Sequence, residues 1–149
     1  MSRPKYVTKA DEENEEKIIG QFKDYILTFK PRLLLNHHKL PDKYEIDYAI
    51  TYKDMKHVYA FVEVKRRNVD KDTYPWLILS LNKYYAMQRC VGMGIKAFLV
   101  FEFNDGTFFI DMNEFESPRI TIHGRTDRND PDDIEPVICI PKEDWRAVK

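Results

Sequence analysis

Asp47, Glu63 and Lys65 carry the clearest chemical signal in this chain. They fall on two alternating segments. In Tyr44 to Tyr52, Ile46, Tyr48 and Ile50 point one way and Asp47, Ala49 and Thr51 the other. In Val58 to Lys65, Val58, Ala60, Val62 and Val64 oppose Tyr59, Phe61, Glu63 and Lys65. A period of two is the mark of half-buried strands, and the polar link Lys53 to His57 joins them as a hairpin. With Met55 at the turn centre, Thr51 faces Tyr59, Ala49 faces Phe61 and Asp47 faces Glu63. Like charges opposed across a strand pair are destabilising, so something must compensate. Lys65 could do so in part as an ion pair. A hard divalent cation such as Mg²⁺ does it better, because it favours one or two carboxylates together with water and phosphate oxygens. The competing reading is the solvent face of an edge hairpin. Against it, Ala49, Tyr59 and Phe61 make the carboxylate face apolar as well, so that face is partly covered.

The chemistry of such a cluster is phosphodiester hydrolysis. A metal held by Asp47, Glu63 and the Val64 carbonyl can polarise a phosphate oxygen and lower the pKa of a bound water. Lys65, a point charge on a flexible stem, suits orienting that water or stabilising charge on phosphorus.

The strings EIDYAI (45–50) and FVEVK (61–65) resemble the PD-(D/E)XK nuclease superfamily, with an acid on one strand and acid-x-Lys on the next. The resemblance implies that Asp47 and Glu63 bind metal and that Lys65 assists catalysis. Ile46 stands where the superfamily often has Pro. The likeness spans roughly residues 11–112, following the superfamily order of helix, strand meander, helix and further strand. A narrower likeness is to small phage-encoded members, through Ser-Leu-x-Lys at 80–83 and the tail GRTDRNDPDDIEPV at 124–137. Many members, archaeal Holliday junction resolvases among them, place a Glu on the first helix near the metal. Glu15 fits that role, with Ile18, Ile19 and Phe22 at +3, +4 and +7; Glu12 is the reserve. An acidic first turn serving the helix dipole is the simpler alternative.

Other candidates lie further along. Arg66 and Arg67 follow the lysine and could grip a phosphate backbone, or be solvated loop charge. Ser80, Lys83 and Met87 share a face at helical spacing, so Ser80 and Lys83 could contact phosphate or a metal-bound water; Gln88 is a weaker candidate. Tyr74, Trp76, Tyr84 and Tyr85 could stack on bases, although helical aromatics more often fill a core. His37 and His38 fall in an expected loop without partners at zinc-ligand spacing. His123 and Arg125 offer only charge.

These residues need elements to position them. Asp11 to Phe29 reads as an amphipathic helix with Ile18, Ile19, Phe22, Tyr25, Ile26 and Phe29 on one stripe, Asp11 as N-cap and Pro31 as terminator. Pro75 to Cys90 reads as a second helix stopped by Gly92 and Gly94. Ala97 to Phe103 is a central strand, turned at Asn104-Asp105-Gly106 into Thr107 to Met112. Ile120 to Ile122 and Val137 to Ile140 are short strands around a charged loop. The expected class is α/β in the mixed α+β sense: a restriction-endonuclease-like central mixed sheet flanked by helices.

The 149 residues fit one domain, with a core over about 11–112 and a C-terminal extension over 113–149. No apolar run is long enough for a membrane span, and the polar N-terminus has no signal-peptide character. Cys90 and Cys139 lack metal-ligand spacing and read as reduced core thiols of a cytoplasmic protein. The net charge is −1, yet Lys53 to Lys71 holds six Lys or Arg against three acids, and Asp127 to Glu135 holds five acids against one Arg. Such asymmetry suits a directed phosphate-binding face, or equally an ordinary surface mosaic of charge.

The expectation is therefore a Mg²⁺- or Mn²⁺-dependent nuclease acting on DNA, endonucleolytic and homodimeric because cutting two strands takes two sites, with no small-molecule cofactor. The main alternative is a catalytically inactive DNA-binding or assembly protein of nuclease fold. Retention of all three residues weighs against it. A second alternative is a partner-binding module built on the acidic 127–135 loop.

Overall fold

A computed structural model of the chain describes residues 9–54, 56–115, 119–124 and 134–149. Its first element is the expected helix, α1 (Lys9–Phe29), which buries Ile18, Ile19, Phe22 and Ile26. Three antiparallel strands follow: β1 (Leu35–Lys39), β2 (Tyr48–Tyr52) and β3 (Val58–Arg66). β4 (Trp76–Ser80) leads directly into α2 (Leu81–Gly92), and the chain returns as β5 (Lys96–Phe103) and β6 (Gly106–Asp111). β7 (Arg119–Gly124), β8 (Ile134–Pro141) and the two-residue β9 (Arg146–Ala147) complete it.

The strands form a six-stranded sheet in the order β1-β2-β3-β5-β6-β9 and a three-stranded sheet in the order β4-β8-β7. β3 and β5 are parallel and the other neighbours in the large sheet antiparallel, so that sheet is mixed. One core packs α1 on one face of this sheet through Ile18, Ile19, Phe22 and Ile26 against Val62, Val64, Phe98 and Val100. A second packs α2 and the small sheet on the other face, through Met87, Cys90, Leu79, Ile138 and Ile140 against Leu99 and Phe101. β3 and β5 are thus covered on both sides, as their near-continuous apolar runs require. Ile138 and Ile140, from the expected C-terminal extension, sit inside this second core.

Several expectations are corrected. Residues 76–80 are a strand, not the start of the second helix: Leu77 and Leu79 are buried while the backbone pairs with β8 from Trp76↔Pro141 to Ser80↔Val137. A short apolar run fits either state, and here a distant partner strand decides. His37 and His38 lie in β1 rather than a loop. β2 begins at Tyr48, not Tyr44, because Asp42–Tyr44 forms a 3₁₀ turn and Glu45 takes a left-handed backbone with φ 63°. That irregular lead-in sends Ile46 into the second core while Tyr48 and Ile50 enter the first. Ala49 pairs with Phe61 as expected, but a register shift between Ile50 and Thr51 sets Thr51 against Val58 instead of Tyr59. Met55, the expected turn centre, lies outside the described residues.

Candidate active site

The large sheet brings the motif residues together at the end of the β2–β3 hairpin away from its turn. Asp47 immediately precedes β2. The Val64 amide donates to Asp47 Oδ2 at 2.9 Å, and the Leu40 amide donates to the Asp47 carbonyl at 2.8 Å. Asp47 is therefore pinned to β3 through its side chain and to the end of β1 through its backbone. The ladder runs Ala49↔Phe61, Tyr48↔Val62, so the next step along it sets Asp47 beside Glu63.

Glu63 is buried, at 6% exposure. Its Oε1 pairs with Lys83 Nζ of α2 at 3.3 Å, while Oε2 is buried without a hydrogen-bond donor. Burial is the largest cause pushing its pKa up, followed by the negative charge of the Asp47 carboxylate. Lys83 and Lys65 pull the other way. Lys65 is displaced in the opposite sense: burial and the neighbouring Arg67 guanidinium lower its ammonium to about 8. Two carboxylates and a lysine thus act on one another electrostatically.

The remaining candidates divide. Glu15, on α1, joins the cluster indirectly: its Oε2 lies 2.9 Å from Lys39 Nζ, which is also 3.5 Å from Asp47 Oδ1. Burial, partly offset by the Lys39 hydrogen bond, raises the Glu15 pKa. Arg66 is engaged within the protein, with Nε 2.9 Å from Glu102 Oε1 and a terminal nitrogen 2.9 Å from Asn104 Oδ1. Arg67 approaches Lys65 closely enough to depress it. Lys83 turns inward, donating to the Glu45 carbonyl at 2.6 Å besides pairing with Glu63. Ser80 precedes α2 at its N-cap position instead of sharing a helix face with Lys83, and its hydroxyl donates to Glu135 at 3.1 Å. Gln88 donates to the Met112 carbonyl at 3.3 Å. Tyr74 and Tyr85 are exposed, whereas Tyr84 packs against the second core. His37 is tied to Glu16 and Lys23, and His38 to Thr51. Arg125 and most of the 127–135 loop lie outside the described residues.

Two site neighbours have no signal in the sequence motif. Lys39 bridges Glu15 and Asp47, and Arg89 joins Lys83 in fastening Glu45, through an ion pair of 2.9 Å between Arg89 and Glu45 Oε2. Lys39 ends a short polar strand, LNHHK, whose partners lie across the fold. Nothing in its local spacing points to the acids. Among the described residues, no three His, Cys, Asp or Glu side chains converge into a ready-made metal cage. A metal here would take two carboxylates and complete its shell with carbonyl, water and phosphate oxygens, the pattern of Mg²⁺ sites in phosphoryl chemistry.

Comparison with known proteins matches residues 1–148 to the family described as "Phage putative PDDEXK endonuclease". The chain belongs to this PDDEXK family. Membership covers nearly the whole chain and makes the mixed sheet between helical layers the restriction-endonuclease-like fold expected from the motif. No curated protein matches the chain. Among solved structures, it is similar to Hjc, a Holliday junction resolvase from the archaeal hyperthermophile Archaeoglobus fulgidus, at 16% identity over 85% of each chain, with a TM-score of 0.44. A likeness at that level carries no functional weight. The nuclease assignment comes from the family. Among the described residues no helix is long and apolar enough to cross a membrane.

Proposed function

We propose that this family member is a divalent-metal-dependent deoxyribonuclease cutting internal phosphodiester bonds, with Asp47, Glu63 and the Val64 carbonyl as its metal-binding set. The observation that carries this reading is Glu63 Oε2, buried without a donor one ladder step from the pair Tyr48↔Val62, where Asp47 stands beside it and repels its charge. A buried anionic oxygen left unpaired is costly. A hard cation with oxygen ligands satisfies that oxygen and relieves the repulsion between the two acids at once. The N–H and C=O of one strand residue point to the same side. The Val64 amide points at Asp47, so its carbonyl faces the same gap.

When bound, Mg²⁺ or Mn²⁺ would supply Lewis acidity at the scissile phosphate and an acidified water. The protein's own groups do the rest. The Val64 amide fixes the Asp47 carboxylate, and Lys83 holds Glu63 from α2. Lys65, whose ammonium burial and the Arg67 guanidinium push downward, suits orienting a water or meeting charge on phosphorus. Arg67 adds positive charge on the same side as Lys65. Lys83 acts from α2 through Glu63. DNA is the substrate class we assign, and a homodimer places two such sites on the two strands of a duplex or junction. The free, buried cysteines suit a reducing cytoplasm, and the family description suits a phage-encoded protein acting in a bacterial host. Residues 1–149 act as a single domain.

The test is Mg²⁺- and Mn²⁺-dependent cleavage of supercoiled plasmid and of branched DNA. Wild-type protein is expected to nick or linearise closed circles, which have no ends for an exonuclease. Asp47→Ala, Glu63→Ala and Lys65→Ala are each expected to lose about 100-fold or more in rate. Wild-type protein that binds DNA and leaves every substrate intact in both metals would establish the inactive nuclease-fold alternative.

A further inference from the structure

Lys39 occupies a position that an ordinary surface lysine does not. It is the last residue of β1, paired with Tyr48 across the ladder, and its ammonium lies 5.0 Å from the centre of the Tyr48 ring. Both features aim the side chain into the gap between α1 and the start of β2. There Nζ meets Glu15 Oε2 at 2.9 Å and Asp47 Oδ1 at 3.5 Å, with only 19% and 18% of the two acidic side chains exposed. The two oxygens of Asp47 thus have different surroundings: Oδ2 faces the Val64 amide and Oδ1 faces Lys39. A point within about 2–3 Å of oxygens from two separate carboxylates is where a hard divalent cation settles. Here a covalently attached monocation stands between the two carboxylates instead, at 2.9 Å from Glu15 and 3.5 Å from Asp47, and no third carboxylate joins Asp47 and Glu63 in a side-chain cage among the described residues.

We propose that Lys39 is a tethered cation occupying the place of a second metal ion between Glu15 and Asp47, so that the protein takes up a single divalent ion, on the Glu63 side of Asp47. The inference rests on the metal-site reading above. Lys39 neutralises Glu15 and one oxygen of Asp47 without a free ion, leaving the other side of Asp47 and the donor-less Glu63 Oε2 for the metal. It also explains how Glu15 belongs to the cluster without being a ligand. Glu15 is a positioning residue that anchors the ammonium from α1.

The test is the number of Mn²⁺ ions bound by the full chain, read by calorimetry and by loss of the free-ion electron paramagnetic resonance signal, without DNA. Wild-type protein is expected to bind one ion, and Lys39→Met, which keeps the stem against Tyr48, to bind two. Lys39→Gln provides a polar variant with the same expectation if the Met variant folds poorly. Adding Glu15→Gln to Lys39→Met should return the count to one, which a merely structural role for Lys39 does not produce. Two ions on wild-type protein, or a count of one in both folded Lys39 variants, would overturn the proposal while leaving the Asp47–Glu63 site intact. No Mn²⁺ on wild-type protein, or a wild-type ion that survives Glu63→Ala, would instead overturn the metal-site reading together with this one.

Discussion

The Val64 amide donates its hydrogen to Asp47 Oδ2 at 2.9 Å, so the strand carrying the second acid and the lysine also orients the first acid. Asp47 lies just outside β2, beyond the last ladder pair Tyr48↔Val62. This side-chain bond replaces the ladder contact the backbone would have made. It follows that Asp47→Asn and Asp47→Ala separate charge from architecture. Asn keeps an oxygen for the Val64 amide, so the fold should hold while cleavage falls about 100-fold or more. Ala leaves that amide without its partner and should cost a further 1–3 kcal/mol of stability, roughly the penalty of an unsatisfied buried donor. Urea titration of both variants beside plasmid nicking reads the two effects apart.

Glu63 gives a pH dependence of defined sign. Its pKa is raised in the fold, first by burial and then by Asp47, so the folded protein keeps the proton longer than the unfolded chain does. Its contribution to stability is fully present below the ordinary carboxylate range and is lost as pH rises through the raised value. Glu63→Gln removes that loss. Without metal, the variant should match wild-type stability near about pH 4 and exceed it by on the order of 1–3 kcal/mol near about pH 9. Thermal denaturation across pH measures it, and a variant less stable at the alkaline end would show that the lysines outweigh burial.

Lys83 pairs with Glu63 and also caps the left-handed Glu45 carbonyl. Lys83→Met should destabilise the protein by about 1–2 kcal/mol, below the cost for a fully buried pair because the lysine side chain is 35% exposed. In the Glu63→Gln background that cost should shrink to the part due to Glu45. A double-mutant cycle by chemical denaturation gives the coupling, and equal costs in both backgrounds would remove Glu63 as the relevant partner.

Arg66 and Arg67 are adjacent in sequence but differ in role. Arg66 is held by Glu102 and Asn104, whereas Arg67 crowds Lys65. Arg67→Ala should weaken DNA binding and reduce the slope of log affinity against log salt by about 1. Arg66→Ala should leave that slope unchanged and cost about 1 kcal/mol or less in stability, as a partly exposed ion pair does. Fluorescence anisotropy over a salt series distinguishes them.

The sequence by itself determined α1 and the shared face of Glu63 and Lys65. Both depend on local periodicity: alternation fixes which residues of β3 share a face, and the apolar stripe of α1 fixes which face packs inward. Asp47 lies outside β2, and the Val64 amide sets its carboxylate. The family resemblance pointed to a glutamate on α1, the same stripe picked out Glu15, and folding ties it to Asp47 only through Lys39. The tertiary structure alone decided the rest. WLILS at 76–80 is as apolar as a buried helix turn, and it becomes a strand because β8, some sixty residues on, offers its backbone. β1 is short and polar and is a strand only because β2 pairs with it. The opening cluster gained partners for the same reason. Lys39 and Lys83 reach the acids from β1 and α2, elements distant along the chain, and no spacing rule relates a lysine to a carboxylate that only folding brings within 3.5 Å.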